Sequence, residues 1–328
     1  MNRPQSRAAS PQSTAAPLIS VVIATKNREA LLADTLGALV GQRWPGDQFE
    51  VLVADNGSTD GTRAVVERAA IRSPMPRIRY RYVDLPGKSS AVNAILGGAR
   101  GSLVAMTDDD VCPEPDWLER LAAAFEETGA DFVAGRILPR WECEPPSWLS
   151  SPLYGVLAIP DNGGVRLTLG PDADGRNVIP IGANMAVKTS VIRRVGGLRQ
   201  DLGKLSGTLR TGEDHEFYLR MLRAGCRGVY EPTARVRHFV PRERLEASYF
   251  CRWHYQNGRD VSRLESAYET AVRKLFGVPR YLWRQAAADA IATLGGFFIA
   301  DERQRFATFV RLIWFGGYVR DAWWGRST

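Results

Sequence analysis

From Leu18 onward, short β-branched runs alternate with amphipathic stretches. Ile19–Ala24 reads as a buried strand, and Leu31, Leu32, Thr35, Leu36, Leu39 and Val40 behind it recur at the spacing of one helix face. Glu50–Ala54 reads as a second strand, followed by a helix through Ala64, Val65 and Ala69. Ile78–Val83 is a third, with a helix carrying Ala91, Val92, Ile95, Leu96 and Ala99 after it, and Ser102–Met106 is a fourth. This repeated alternation predicts an α/β fold: a Rossmann-like, mostly parallel sheet with helices on both faces.

Further along, Trp117, Leu118, Leu121, Ala122 and Phe125 mark a helix, and Asp131–Leu138 a strand. Residues 139–180, rich in Pro, Gly, Trp and Asp, predict a long excursion beside the ligand site. Regular structure resumes at 182–187. A helix through Phe217, Tyr218, Met221 and Leu222 stops at Gly225, and two strands are expected around Cys226–Tyr230 and Ala234–Val240. The rest reads as helical. Its apolar stretches 286–300 and 306–319 are interrupted by Asp289 and Arg311, and each is too short to span a bilayer. Three segments follow: a disordered tail over 1–17, an α/β domain over 18–245, and a basic, aromatic helical extension over 246–328.

Charge sharpens this division. The formal net charge is +7, and residues 241–328 hold 14 Lys and Arg against nine Asp and Glu. Such a surplus suits phosphate-bearing ligands or an anionic membrane surface. Nucleic acid is not expected as a partner, because no recognition motif accompanies the charge. The four cysteines form no CxxC pair, which points to free thiols in a reducing, cytoplasmic compartment.

The candidate chemistry sits where each strand ends: Thr25–Arg28, Asp55–Asp60, Lys88 and Asp108–Asp110. In open α/β sheets ligands bind beyond the carboxyl ends of the strands. Three consecutive aspartates there need compensation, since two unit charges about 4 Å apart repel by about 4 kcal/mol at an effective dielectric of about 20. A hard divalent cation, Mg²⁺ or Mn²⁺, would supply it; a solvated acidic turn ahead of the helix at Trp117 is the structural alternative.

Ile19–Arg28, Val51–Gly61, Gly87–Asn93, Thr107–Val111, Gly182–Asn184 and Gly212–Asp214, taken in order, resemble the family 2 glycosyltransferases of GT-A fold over residues 18–240. The resemblance implies an inverting, metal-dependent enzyme of the hexosyltransferase type. It would move a sugar from a nucleotide diphosphate donor, foremost a UDP-sugar, to a hydroxyl of a glycan or lipid-linked acceptor in cell-surface polysaccharide or glycolipid synthesis. It assigns Asp110 and His238 to the metal, and Thr25, Arg28, Asp55, Lys88, Asn93, Asp108 and Asp109 to the donor nucleotide. Asn184 and Glu213 fall at the donor-sugar or acceptor side, and Asp214 is the catalytic base.

Each assignment has a plain structural counterpart: a turn cap for Asp55, a solvated charge for Lys88, helix-dipole pairing for Glu213 and Asp214, core hydrogen bonding for Asn184 and His238. The chain also departs from the processive members. Tyr249-Phe250-Cys251-Arg252-Trp253 lacks the glutamine of their Gln-X-X-Arg-Trp motif, so transfer of one sugar is expected. Arg and Trp interleaved over 252–326 suit peripheral contact through 246–328 with the inner face of the cell membrane; a helical subdomain packed on the core is the other reading. A non-catalytic nucleotide- or carbohydrate-binding protein on the same fold is the alternative function. A sugar nucleotidyltransferase would call for a Gly-rich loop where Thr25-Lys26-Asn27-Arg28 stands.

Overall fold

The computed structural model describes residues 18–171, 173–175, 177–203, 208–267, 272–299 and 301–325, so the expected tail over 1–17 lies outside the described residues. In chain order the elements are β1 (Ile19–Thr25), α1 (Glu29–Val40), β2 (Phe49–Asp55), α2 (Thr62–Arg72), β3 (Arg77–Tyr82), α3 (Lys88–Leu96), β4 (Leu103–Thr107) and β5 (Val111–Pro113). Then come α4 (Trp117–Thr128), β6 (Phe132–Trp141), β7 (Leu167–Leu169), β8 (Asn184–Lys188), α5 (Thr189–Val195), α6 (Glu213–Arg223) and β9 (Gly228–Val240). Helices α7 (Ala247–Ala267), α8 (Arg280–Ile299) and α9 (Glu302–Trp324) follow, with a small hairpin of Lys274–Leu275 against Val278–Pro279 between α7 and α8.

One nine-stranded sheet runs β3-β2-β1-β4-β8-β6-β9-β5, with β7 paired to β9. Strands β1 to β4 are parallel; β8 is antiparallel to β4 and to β6, and β6 and β9 are parallel. Six strands therefore share one direction, and β5, β7 and β8 oppose them. β2 and β4 are buried throughout, because α-helices cover both faces, and β-branched and small residues fill such positions. Alternate residues of β1 feed different cores: Ile19, Val21 and Ile23 pack with α1 and α4, and Val22 packs with α3 and α6. β3 is the outer strand. Its Arg77, Arg79 and Arg81 blunt the edge, and Arg79 is held to Glu50 at 2.9 Å.

The two strands expected over 226–240 are one. Where Glu231 to Arg235 bulge out of register against Gly135 and Arg136, Glu231 accepts hydrogen bonds from the Thr233 backbone and hydroxyl, so the interruption is a bulge inside a continuous strand. The 139–180 excursion carries the end of β6, a 3₁₀ stretch over Ser151–Leu157, and β7.

The expected division at 245/246 falls just ahead of α7. Phe250 of α7 and Val310 of α9 are fully buried in the same cluster as β1 and α1, with Trp148 and Phe306 packed edge-to-face around Phe250. α7 and α9 cross at glycines. A Cβ on Gly258 would strike the Trp314 carbonyl, and one on Gly317 the Tyr255 carbonyl, so the two backbones touch. Among the described residues no helix is long and apolar enough to cross a membrane.

Candidate active site

In this strand order, the chain leaves β1 toward β2 and β3 on one side and returns to β4 on the other. The carboxyl ends of β1 and β4 thus flank a switch point, where α/β sheets open a crevice. The crevice here is a cavity of about 800 Å³. It is lined by Thr25 at the end of β1 and Arg28 in the turn after it, from the end of β4 by Asp108, Asp109 and Asp110, from α3 by Lys88, from α6 by Glu213 and Asp214, and from β9 by His238.

Local geometry aims these side chains. Asn27 adopts a left-handed conformation (φ 53°), tolerated by Asn, and its side chain is anchored by the Thr59 backbone. The next residue, Arg28, is thereby turned across the crevice. Its Nη1 lies 2.9 Å from Asp109 Oδ1 and 2.7 Å from Asp110 Oδ2, while the Thr25 hydroxyl donates to Asp109 Oδ2 at 2.7 Å. Asn56 holds the opposite wall, donating to the Leu85 carbonyl and accepting from the Gly87 N–H, so that Lys88 opens α3 at the cavity. A cation at a helix N-terminus opposes the dipole. Asp108 offsets it at 2.5 Å. Arg28 and Lys88 therefore offset part of the charge of the three aspartates, while burial still raises the Asp109 carboxyl.

A metal fits one position. The register of β5 on β9 sets His238 opposite Val111, and His238 Nε2 stands 3.2 Å from Asp110 Oδ1. That oxygen is buried and accepts no hydrogen bond among the described residues. No group of three or more His, Cys, Asp and Glu able to hold a metal occurs among those residues. One carboxylate oxygen and one imidazole suit a divalent transition-metal ion such as Mn²⁺, completing its shell on phosphate and water, while Mg²⁺ would use the carboxylate alone. Burial alone would raise the Asp110 carboxyl, but His238, Arg28 and Arg244 hold it well below the usual carboxylate range.

At the far wall, Glu213 and Asp214 open α6, where carboxylates suit the dipole. The Gly182 N–H donates to Asp214 Oδ2 at 2.9 Å, and a Cβ on Gly182 would crowd Asp214 Oδ1. Burial raises Asp214, opposed by Lys88 and by the Gly182 hydrogen bond. Burial and the neighbouring Asp214 push Glu213 up to about 7, with Lys88 opposing. Burial would lower Lys88, but Asp108, Asp214 and Glu213 together raise it above the ordinary lysine value.

Three expected site residues do not line the cavity. Asn184 is 1% exposed with its amide used up: it donates to the Arg136 and Ala234 carbonyls and accepts from Trp117 Nε1, which pins β6 to β9 at the bulge. Asn93 pairs both ways with the Leu198 backbone at 2.7 and 2.8 Å, which anchors the segment after α5. Asp55 accepts from the Tyr80 hydroxyl and the Ser58 N–H, and so builds the turn after β2. Conversely, Arg244, Tyr249, Trp253, Asn257 and Asp260 line the cavity and were not in the expected set. The spacing of the last four along α7 was the available signal, but only the fold shows which way that face turns.

Residues 20–196, over half of the chain, match the family model described as Glycosyl transferase family 2. The glycosyltransferase AglE of Haloferax volcanii is 31% identical over 121 residues, 37% of this chain and 40% of that protein, so the chain aligns with less than half of this relative's length. The mannosyltransferase PcManGT from Pyrobaculum calidifontis, solved in complex with GDP-Man and Mn²⁺, superposes with a TM-score of 0.65 at 19% identity over 97% of this chain and 90% of that one. S. aureus TarS 1-349 in complex with UDP superposes with a TM-score of 0.54 at 17% identity, over 93% and 90% of the two chains. At such identities the likeness is one of fold.

The Glu213 environment has a pH consequence. Between its ordinary value of 4.5 and about 7, the folded chain keeps a proton on Glu213 that the unfolded chain has released. The stability this contributes is fully present below pH 4.5 and is lost as pH rises through about 7. Urea unfolding across this window should show a falling stability that flattens in Glu213→Gln; identical slopes would contradict the environment described.

Proposed function

Because the chain belongs to glycosyl transferase family 2, we propose that it is an inverting, metal-dependent transferase on the GT-A fold. It moves one sugar from a nucleotide diphosphate donor to an acceptor hydroxyl of a glycan or a lipid-linked glycan. UDP-sugars are the first donors to test, since the structural relatives named above were solved with UDP and with GDP-Man. The observation that carries the reading is the meeting of a part-buried carboxylate, Asp214, with two cations and the aspartate triplet in one cavity.

The residues divide the work. Arg28 and Lys88 give the diphosphate end of the donor a cationic lining, and Thr25 and Asp108 border the same space. Asp110 and His238 would hold the metal, which when bound neutralises charge on the departing diphosphate. Asp214 takes the proton of the acceptor hydroxyl. The acceptor oxygen forms a bond to the anomeric carbon from the side opposite the diphosphate, the bond from that carbon to the phosphate oxygen breaks, and its electron pair leaves with the nucleotide. One displacement inverts the anomeric centre. Burial makes Asp214 a stronger proton acceptor than a solvated carboxylate, and the Gly182 N–H fixes its orientation. Glu213, raised by burial and by Asp214, stands next to it on the donor-sugar or acceptor side.

The acceptor's setting draws on the C-terminal helices. Tyr281, Ile291, Leu294, Trp323 and Trp324 are each about half exposed or more, in the stretch that carries the surplus of arginine. Apolar and basic side chains together support peripheral contact with an anionic bilayer. Cosedimentation with phosphatidylglycerol vesicles should recover the protein in the pellet at low salt; recovery wholly in the supernatant sinks this part.

For the chemistry, Asp214→Asn keeps shape and removes the base. Turnover should fall by about 10²–10⁴-fold, while calorimetry shows donor-nucleotide affinity unchanged. Full activity in the variant would mean that Asp214 is not the base.

A further inference from the structure

Helix α7 is two-faced. Tyr249, Trp253, Asn257, Asp260 and Leu264 recur at helical spacing and line the cavity that holds Asp214. Gln256, Arg259 and Arg263 lie on an adjacent stripe and line a second cavity, of about 560 Å³. Arg210 lines both. It precedes Asp214 by four residues, in a segment tied to α7: Asp260 accepts the Thr211 N–H at 2.9 Å, and Asn257 donates to the Thr211 hydroxyl at 3.0 Å. Asn257 is itself fixed by Trp314 Nε1 of α9 at 2.9 Å.

The second cavity is electrically one-sided. Among the described residues its ionisable lining is Arg210, Arg259 and Arg263 against Asp201. Asp201 is already bridged by Arg199 at 2.5 Å, and Arg263 is engaged with Asp321 at 2.8 Å. Arg210 donates to the backbone carbonyl of Asp201, not to a carboxylate. Arg259 reaches only the Gln256 side chain, at 3.4 Å, and its Nε is buried with no hydrogen-bond partner among the described residues. A buried guanidinium N–H left unpaired is costly, and the fork of donors that Arg presents matches phosphate oxygens.

We propose that the second cavity is a phosphate subsite for the acceptor. The molecule that receives the sugar carries a phosphate group, gripped by Arg259 and Arg210, and the remainder passes Arg210 into the main cavity and presents its hydroxyl to Asp214. The proposal rests on the transferase reading and narrows its acceptor class. A lipid phosphate and a soluble sugar phosphate share the chemistry that this site recognises.

The test first saturates the protein with the nucleoside diphosphate it binds best, together with Mn²⁺, to occupy the phosphate positions of the main cavity. The loaded protein is then titrated with glucose 1-phosphate and, separately, sedimented with phosphatidylcholine vesicles with and without a polyprenyl-phosphate-linked glucose, which carries both a phosphate and free hydroxyls. One of the two phosphate probes should bind. Arg259→Gln and Arg210→Gln should each weaken that binding about tenfold or more, and Arg259→Lys should lose less. Nucleotide affinity, unchanged in Arg259→Gln, verifies folding. Binding of glucose 1-phosphate identifies a soluble acceptor, and binding only to doped vesicles a lipid-borne one. Failure of both probes, or binding indifferent to both Gln variants, overturns the subsite. If the wild-type chain binds no nucleoside diphosphate at all, the transferase reading fails, and the subsite falls with it.

Discussion

A single guanidinium nitrogen of Arg28 sits within 3 Å of two buried carboxylates, Asp109 and Asp110, and thereby closes the gap between β1 and β4. Both aspartates are almost fully buried; the cations around Asp110 hold it below the usual carboxylate range, while burial still raises Asp109 against the pull of Arg28. Removing one member of such a group strands the others, at a cost of about 3–5 kcal/mol for a buried pair. The same interaction fixes where Asp110 Oδ1 points, toward His238. Structure and site are thus one constraint: the interaction that ties together the segments leaving β1 and β4 also orients the oxygen proposed to bind metal.

The other side of the cavity depends on close backbone approach. Gly182 leaves room for Asp214, and Gly203 packs where a Cβ would strike the Glu213 side chain. Gly258 and Gly317 let α7 and α9 touch, which brings Trp314 onto Asn257 and Asn257 onto Thr211. A chain of hydrogen bonds therefore runs from the last helix to the segment just ahead of Asp214. The C-terminal helices shape one wall of the cavity as well as covering the core.

Much of the fold was legible because burial dictates composition. β1, β2 and β4 are covered on both faces, so their apolar runs stand out, and their bounds fall within a residue of those expected. The bulge in β9 was not legible: Pro232 and Thr233 read as a break, and only pairing with β6 shows that the strand resumes. Arg28, Lys88, the aspartate triplet, Glu213, Asp214 and His238 come together as their positions at element ends imply. Asn93, Asn184 and Asp55 do not, for a shared reason. A side-chain amide or carboxylate near a strand end serves equally to pin a neighbouring backbone, and sequence carries no sign of which partner it takes. The α7 face was hidden because helical spacing shows that residues share a side without showing what that side meets.

The central claim is that the switch-point cavity binds a nucleoside diphosphate through a cation held by Asp110 and His238. Isothermal titration with a panel of nucleoside diphosphates, with and without Mn²⁺, tests it most directly. The account predicts metal-dependent binding of one nucleotide, abolished in Asp110→Ala while the variant's thermal unfolding remains cooperative. Binding of no nucleotide by the wild-type chain, or equal binding with and without Mn²⁺ in both proteins, would contradict it.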